Sequence, residues 1–323
     1  MNKNSKLRAA VIGVGALGRY HAQKYASCEG AELYGVADLL EERAQEIARE
    51  HGGRAVTDFK DLLPHVDLVS VVVPTDSHFE VARACLEAGV HVLIEKPISR
   101  TLEEADALIA LAAQRKVTLA VGHLERFNPA FIELSGMVER PFFVEAERLG
   151  GFKGRGTDVD VVLDLMIHDI DLVLAMMPSK VSSVSACGFP VLTDLIDIAN
   201  ARLEFEDGAV ADLSASRVSR NPVRKLRVFG ANFYASADLN VPELRVDRRA
   251  APTGGGDGDI RSFDGADALR TEIDGFVAAV EGKDARIVNG TEARQALSLA
   301  LEVKRAIFER IGRFTARSAE RPA

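Results

Sequence analysis

The sequence has no excess of positive charge: 40 lysines and arginines stand against 48 aspartates and glutamates, a formal net charge of −8. Nucleic acids and anionic membranes are read by basic patches, so this balance gives no electrostatic reason for either, and no nucleic-acid or membrane partner is expected. Cysteine is scarce. Cys28, Cys85 and Cys187 are far apart, odd in number and outside any metal-ligand spacing, which argues against a disulfide framework and for a reducing cytoplasm. No apolar run approaches the roughly 20 residues that span a bilayer. The start, MNKNSKLRAAVIGVG, lacks the apolar stretch and small-residue cleavage site of a secretory signal. No internal repeat of solenoid length occurs. What remains is ordinary globular material, 47% hydrophobic and 27% charged over 323 residues. That is more than one core usually holds, so two domains are expected.

The first third alternates short apolar runs with helical patterns, as βαβ units of a parallel sheet do. LRAAVIGVG, AELYGVAD, DLVSVVVP, HVLIEKP and VTLAVGH read as five strands. Helices are expected over Ala16–Cys28, Glu41–His51, His78–Ala88 and Leu102–Gln114. The run LVSVVV is apolar without alternation, which suits a strand covered on both faces. After about Leu124 the texture changes to alternating segments, PFFVEAERLG, IDIANARLEFEDGAVADLSASRV and KLRVFGANFYASADLN. They read as antiparallel strands, with a hairpin turn at Asp207-Gly208. The expected domains are therefore residues 1–124, of dinucleotide-binding type, and residues 125–323, an α/β domain on a largely antiparallel open sheet. The stretch PTGGGDGDIRSFDG reads as flexible and its glycine run as a mobile loop, helices are expected near 267–280 and 291–310, and ARSAERPA reads as a loose tail.

Gly13-Val14-Gly15-Ala16-Leu17-Gly18 matches G-x-G-x-x-G after a strand and before a helix. The first glycine permits the turn, the second lets backbone approach a pyrophosphate, the third lets helix and sheet pack closely, and the helix N-terminus supplies N–H donors. Asp38, twenty residues on at the end of the second strand, is placed to accept the ribose hydroxyls of NAD, and NAD is the expected cofactor. Leu39 and Leu40 follow it, where a phosphate-binding residue would suit NADP; Arg43, one helical turn further on, is expected to pair with a neighbouring glutamate. Pro74, Thr75 and His78 end the third strand at the carboxyl edge, either as a turn capping the next helix or as cofactor contacts. Glu95 and Lys96 end the fourth strand at the same edge, where the lysine is either a surface charge or a ligand-reaching group. His123, Arg126 and Asn128, in GHLERFNP after the fifth strand, suit substrate binding or a hinge.

The remaining signal is DLMIHDIDLV. With about 3.6 residues per turn, Asp164, His168 and Asp171 fall at i, i+4 and i+7 on one polar stripe, while Asp169 points elsewhere. Such a stripe is costly to bury unless its members pair or meet a ligand. It reads as a self-satisfied polar core, a metal site or an acid–base group. No second histidine or cysteine lies nearby to complete a metal set, and no metal is expected.

GVGALGRYH, EKP and D-x-x-x-H-D-x-D, in this order and at these distances, resemble the Gfo/Idh/MocA family, named for glucose-fructose oxidoreductase and inositol dehydrogenase. The resemblance implies a Rossmann domain, then an α/β domain whose open sheet makes a homo-oligomer, and hydride transfer between a sugar or cyclitol carbon and nicotinamide. It places the family's lysine on Lys96 and its aspartate–histidine pair on Asp164 and His168, with the stripe facing the nicotinamide and Asp164 or Asp171 orienting His168. Histidine, with a reference pKa of about 6.5, suits the proton acceptor, and lysine, near about 10.4, suits polarising the substrate oxygen and relaying the proton. GHLERFNPA resembles the subgroup that oxidises the 3-hydroxyl of UDP-N-acetylglucosamine. A nucleotide sugar needs cations for its pyrophosphate; Lys153 and Arg155, together with Arg217, Arg220 and Arg224, are the candidates. One departure is Asp158-Val159-Asp160-Val161-Val162, where many members carry a glycine run. Competing expectations are an inositol or free-sugar dehydrogenase and, of another class, a non-catalytic cofactor-sensing regulator.

Overall fold

A computed structural model describes residues 6–152, 159–248 and 258–319, the last four without their side chains. Chain contacts group into two compact units, residues 1–127 with 267–295, and residues 128–266 with 296–323. Residues 267–295, which the sequence reading counts with the second domain, thus cluster with the first unit.

In the first unit, strands β1 (Leu7–Ile12), β2 (Ala31–Ala37), β3 (Arg54–Val56), β4 (Leu68–Val71), β5 (His91–Glu95) and β6 (Leu119–Gly122) form one parallel sheet in the order β3-β2-β1-β4-β5-β6. The strand order reverses between β1 and β4, and at such a switch point a crevice opens beyond the carboxyl ends. Helices α1 (Gly18–Ala26), α2 (Glu41–His51), α3 (His78–Glu87) and α4 (Leu102–Arg115) are the crossovers. β1 and β4 are buried almost throughout, the consequence of cover on both faces. The α4 start is fixed by a capping box, in which the Thr101 side chain accepts from the Glu104 N–H and the Glu104 carboxylate accepts in return.

The second unit opens with α5 (Pro129–Met137) and β7 (Phe143–Leu149), followed by α6 (Ile167–Met176). The strands β8 (Val181–Phe189), β9 (Ile198–Phe205), β10 (Val210–Ser216), β11 (Val223–Phe229), β12 (Phe233–Asp238), β13 (Glu243–Arg248) and β14 (Asp259–Ser262) complete it. The eight strands run β14-β13-β12-β11-β7-β10-β9-β8, antiparallel except for β7 beside β10. α5 and α6 pack on the apolar face, which carries Ala201, Leu203, Leu213, Val144, Val228 and Leu244. The opposite face carries ion pairs between directly facing residues: Arg202 with Asp212 at 3.0 Å and Arg227 with Glu145 at 2.6 Å.

Two further helices follow, α7 (Ala268–Val280) and α8 (Gly290–Ala319). α7 packs against α1 and buries Leu269, Ile273, Phe276 and Val277 in the same core as Tyr25 and Leu93. Two expectations are corrected. Part of the stretch read as flexible is strand β14, held by antiparallel pairing to β13, and part of the tail extends α8 to Ala319. Gly254, Gly255 and Gly256 lie outside the described residues. Among the described residues no helix is long and apolar enough to cross a membrane.

Candidate active site

Two of the three motif glycines are required by the protein itself. Gly13 has φ of +85°, and a Cβ there would stand 2.5 Å from the Val72 carbonyl oxygen. A Cβ on Gly18 would collide with the Gly13 carbonyl. Gly15 differs. The nearest atom to a Cβ there is Arg43 Nη1 at 3.8 Å, an ordinary contact, so nothing in the chain demands a glycine. Its bare backbone, with Ala16 and Leu17 exposed beside it and no side chain capping α1, fits a dinucleotide pyrophosphate that must come close. The adenosine side fits as well. Asp38 Oδ2 accepts the Val14 N–H at 3.0 Å and Oδ1 accepts the Leu40 N–H at 3.0 Å, which holds its carboxylate beside the glycine turn.

Arg43 reaches that carboxylate at 3.3 Å, so the expected glutamate partner is corrected; the nearby Glu41 accepts from Gln45 instead. The pair is solvent-facing on the arginine side and leaves the local preference with Asp38. Two like charges at 4 Å and an effective dielectric near 20 cost about 4 kcal/mol before relaxation. We expect NAD to bind at least about tenfold more tightly than NADP, which needs only about 1.4 kcal/mol. Replacing Asp38 by serine removes the repulsion and frees Arg43, so the ratio should collapse. Titration of both coenzymes measures it, and equal affinities in the unaltered protein would refute the role given to Asp38.

At the ends of β4 and β5, Pro74 is exposed and Thr75 partly exposed, as a ligand contact requires. His78 is buried, with Nδ1 2.8 Å from the Pro97 carbonyl and Nε2 3.0 Å from the Val73 carbonyl. Burial lowers its pKa more than those carbonyls raise it, so the ring is neutral and donates to only one of the two carbonyls it lies between. Glu95 turns inward: its Oε1 lies 3.2 Å from His21 Nε2, and a Cβ on Gly122 would meet its carboxylate at 2.8 Å. Burial opposes its charge, but the hydrogen bond and charge of His21, with the charge of Lys96, hold the carboxyl below its ordinary value. Lys96 follows directly at the partly exposed carboxyl edge.

His123 is buried on the turn after β6, and Arg126 pairs with Glu292 at 3.6 Å. Asn128 caps α5 by accepting the Ala130 N–H at 3.1 Å and donates to the Leu239 carbonyl at 3.0 Å. Arg126 and Asn128 thus have structural tasks that sequence reading offered only as a hinge.

In the second unit the helix carrying the polar stripe starts at Asp160, whose Oδ1 accepts the N–H of Val162 at 3.0 Å and of Leu163 at 3.2 Å, while Lys304 pairs with its Oδ2 at 2.6 Å. This is the acid standing where the family's glycine run was noted as missing. A π-turn over Val162–Met166 then precedes α6. A π-turn is wider than an α-turn, so the 3.6-residue spacing assumed from Asp164 to His168 does not hold there. Asp164 and His168 are nonetheless both partly exposed, whereas Asp171 is 1% exposed. Asp169 points elsewhere, as expected, into a two-pronged pair with buried Arg148, with distances of 2.8 to 3.2 Å. Arg217, a candidate for pyrophosphate, is instead engaged with Asp197 at 2.7 Å and with the Val159 carbonyl at 2.9 Å. Lys153 and Arg155 lie outside the described residues.

The profile of the oxidoreductase family with an NAD-binding Rossmann fold matches residues 7–123, and that of the Gfo/Idh/MocA C-terminal domain matches residues 143–234. A UDP-N-acetylglucosamine 3-dehydrogenase from Acidithiobacillus ferrooxidans is 44% identical over 307 residues, 93% of this chain and 97% of that protein. The chain belongs to the Gfo/Idh/MocA oxidoreductase family. The solved structure of the same dehydrogenase superposes with a TM-score of 0.88 at 42% identity, covering 94% of this chain and 98% of that one. Among more distant members, a myo-inositol 2-dehydrogenase from Thermotoga maritima is 28% identical over 94% of this chain and 97% of its own length. Membership makes the chain an NAD-dependent oxidoreductase with a Rossmann domain and a second, mostly antiparallel domain. The bare Gly15 and the clamped Asp38 fit a dinucleotide of the kind such a domain binds.

Proposed function

We propose that the chain oxidises the 3-hydroxyl of a UDP-amino sugar such as UDP-N-acetylglucosamine, with Lys96, Asp164 and His168 as its proton-transfer set. The observation that carries this reading is the 44% match to a dehydrogenase of that name along nearly the whole of both chains. A nicotinamide, when bound, supplies the hydride acceptor. Loss of hydride from a carbinol carbon leaves a proton on oxygen. His168 takes that proton as general base, Lys96 polarises the oxygen and relays the proton, and Asp164 fixes the imidazole. The partly exposed positions of Asp164 and His168 suit groups that touch a substrate. His123, Arg126 and Asn128 shape the sugar site by holding the turn after β6, and Asp171 acts from its buried position on the helix.

A screen of nucleotide sugars, inositols and free sugars for NADH formation tests the proposal, with mass spectrometry of the product. Expected is turnover with UDP-N-acetylglucosamine and a product lighter by two hydrogens. Turnover with an inositol or free sugar alone would replace the substrate assignment, and NAD binding with no turnover on any of them would favour a cofactor-sensing protein.

A further inference from the structure

The helix that carries Asp164 and His168 is fastened at its start from three directions, all within the second unit. Asp160 is 5% exposed. Its Oδ1 accepts the N–H groups of Val162 and Leu163, and its Oδ2 pairs at 2.6 Å with Lys304 of α8. Its carbonyl accepts the Asp164 N–H at 2.9 Å. The residue before it, Val159, accepts Arg217 Nη1 on its carbonyl at 2.9 Å, and the residue after it, Val161, donates its N–H to the Ile196 carbonyl at 2.9 Å. Arg217 directly follows β10, and Ile196 lies between β8 and β9. Arg217 is itself held, because its Nε donates at 2.7 Å to fully buried Asp197. That carboxylate also accepts the N–H groups of Val191, Leu192 and Thr193 at 2.6 to 2.8 Å.

These anchors stand immediately before the π-turn. There the Ile167 N–H reaches the Val162 carbonyl, five residues back, where an α-helix would use the carbonyl four back. Neither Val161 nor Met166, which precede the π-turn and α6, caps with its side chain, so Asp160 supplies the acceptor for the free N–H groups. With 3.6 residues per turn, one residue is about 100° of rotation. A one-residue slip that closed the π-turn to an α-turn would swing Asp164 by up to about 100° around the helix relative to His168. Such a slip requires residues 159–161 to leave their partners on α8 and on the two strand connections.

We propose that Asp160, braced by Lys304, is a positioning residue of the proton-transfer set: it holds the register of the π-turn and so fixes the direction of Asp164 relative to His168. A carboxylate suits this point, because a helix N-terminus favours negative charge, and Lys304 occupies the oxygen that the N–H groups leave over. This inference rests on the catalytic reading of Asp164 and His168.

The test compares crystal structures and steady-state kinetics of Asp160→Ala and Asp160→Asn, with thermal unfolding to check that each variant folds. The Lys304 side chain is 23% exposed, so its ammonium can turn to water in Asp160→Ala. In that variant the π-turn is expected to relax and Asp164 to rotate. Its kcat should fall at least about tenfold, while KM for the sugar and the affinity for NAD stay within about threefold. Asparagine keeps an oxygen for the two N–H groups and should restore the turn and most of kcat. In an Asp164→Ala background the Asp160→Ala change should lower kcat less than about twofold, because its effect passes through Asp164. An unchanged π-turn in Asp160→Ala overturns the proposal, as does full kcat in that variant or an equal loss in the Asp164→Ala background. Failure of the catalytic reading is distinct: Asp164→Ala would itself keep full turnover, while the crystal structure of Asp160→Ala still reports on the turn.

Discussion

Lys96→Met and His168→Ala are each expected to lower turnover by at least about a hundredfold, the usual scale of lost acid–base catalysis, while NAD binding persists. Methionine keeps the length and apolar stem of Lys96 and deletes only the ammonium, so β5 and its neighbours are undisturbed. Alanine at His168 removes a partly exposed ring from α6 without opening a sealed core. The two losses should not add. Residues that act on one proton are a unit, and the double variant is expected to be about as slow as the worse single one. Steady-state rates with saturating substrate, beside a coenzyme titration, decide the matter. Near-normal turnover in either variant would remove that residue from the chemistry.

The largest stability loss is expected from Asp169→Ala. Its carboxylate receives both Nε and Nη2 of Arg148, and the two side chains are each 4% exposed. Deleting the acid leaves a guanidinium buried without that carboxylate, at a cost of about 3 to 5 kcal/mol. For a unit of this size the thermal midpoint should fall by roughly 10 °C. Replacing both partners, Arg148→Met with Asp169→Leu, should recover most of the loss, because the penalty lies in the stranded charge more than in the missing attraction. Chemical unfolding followed by a probe in the second unit measures this. A loss under about 1 kcal/mol for the single variant would mean that water or another acid reaches Arg148.

The parallel strands could be read from sequence because each is a compact apolar run between turn signals, and LVSVVV has no polar face to mislead. What sequence reading missed shares a different character. β8, VSSVSACGF, is serine-rich and half exposed, and β13 and β14, ELRVDR and DIRS, carry charges that edge strands need and that resemble loop composition. β3 is three residues long, stabilised by pairing with β2 rather than by its own pattern. The stripe on DLMIHDIDLV was visible as a cluster of polar types, but its spacing was not, since a π-turn leaves no mark in a 3.6-residue count. The burial of Glu272 on α7 was invisible for a plainer reason. A glutamate in a helix is ordinary, and only the packing of α7 against α1 makes it a buried acid. The task of Arg217 was hidden in the same way, because its partner Asp197 lies twenty residues earlier on another strand connection.

The ring of His78 carries a consequence for motion. It joins the carbonyl of Val73, on the loop after β4, to the carbonyl of Pro97, on the loop after β5. The neutral ring donates to one of the two and packs against the other, so a shift of either loop disturbs a buried contact. A shift of the backbone beside Pro74 and Thr75 would therefore disturb the packing of the ring that also meets the loop just after Lys96.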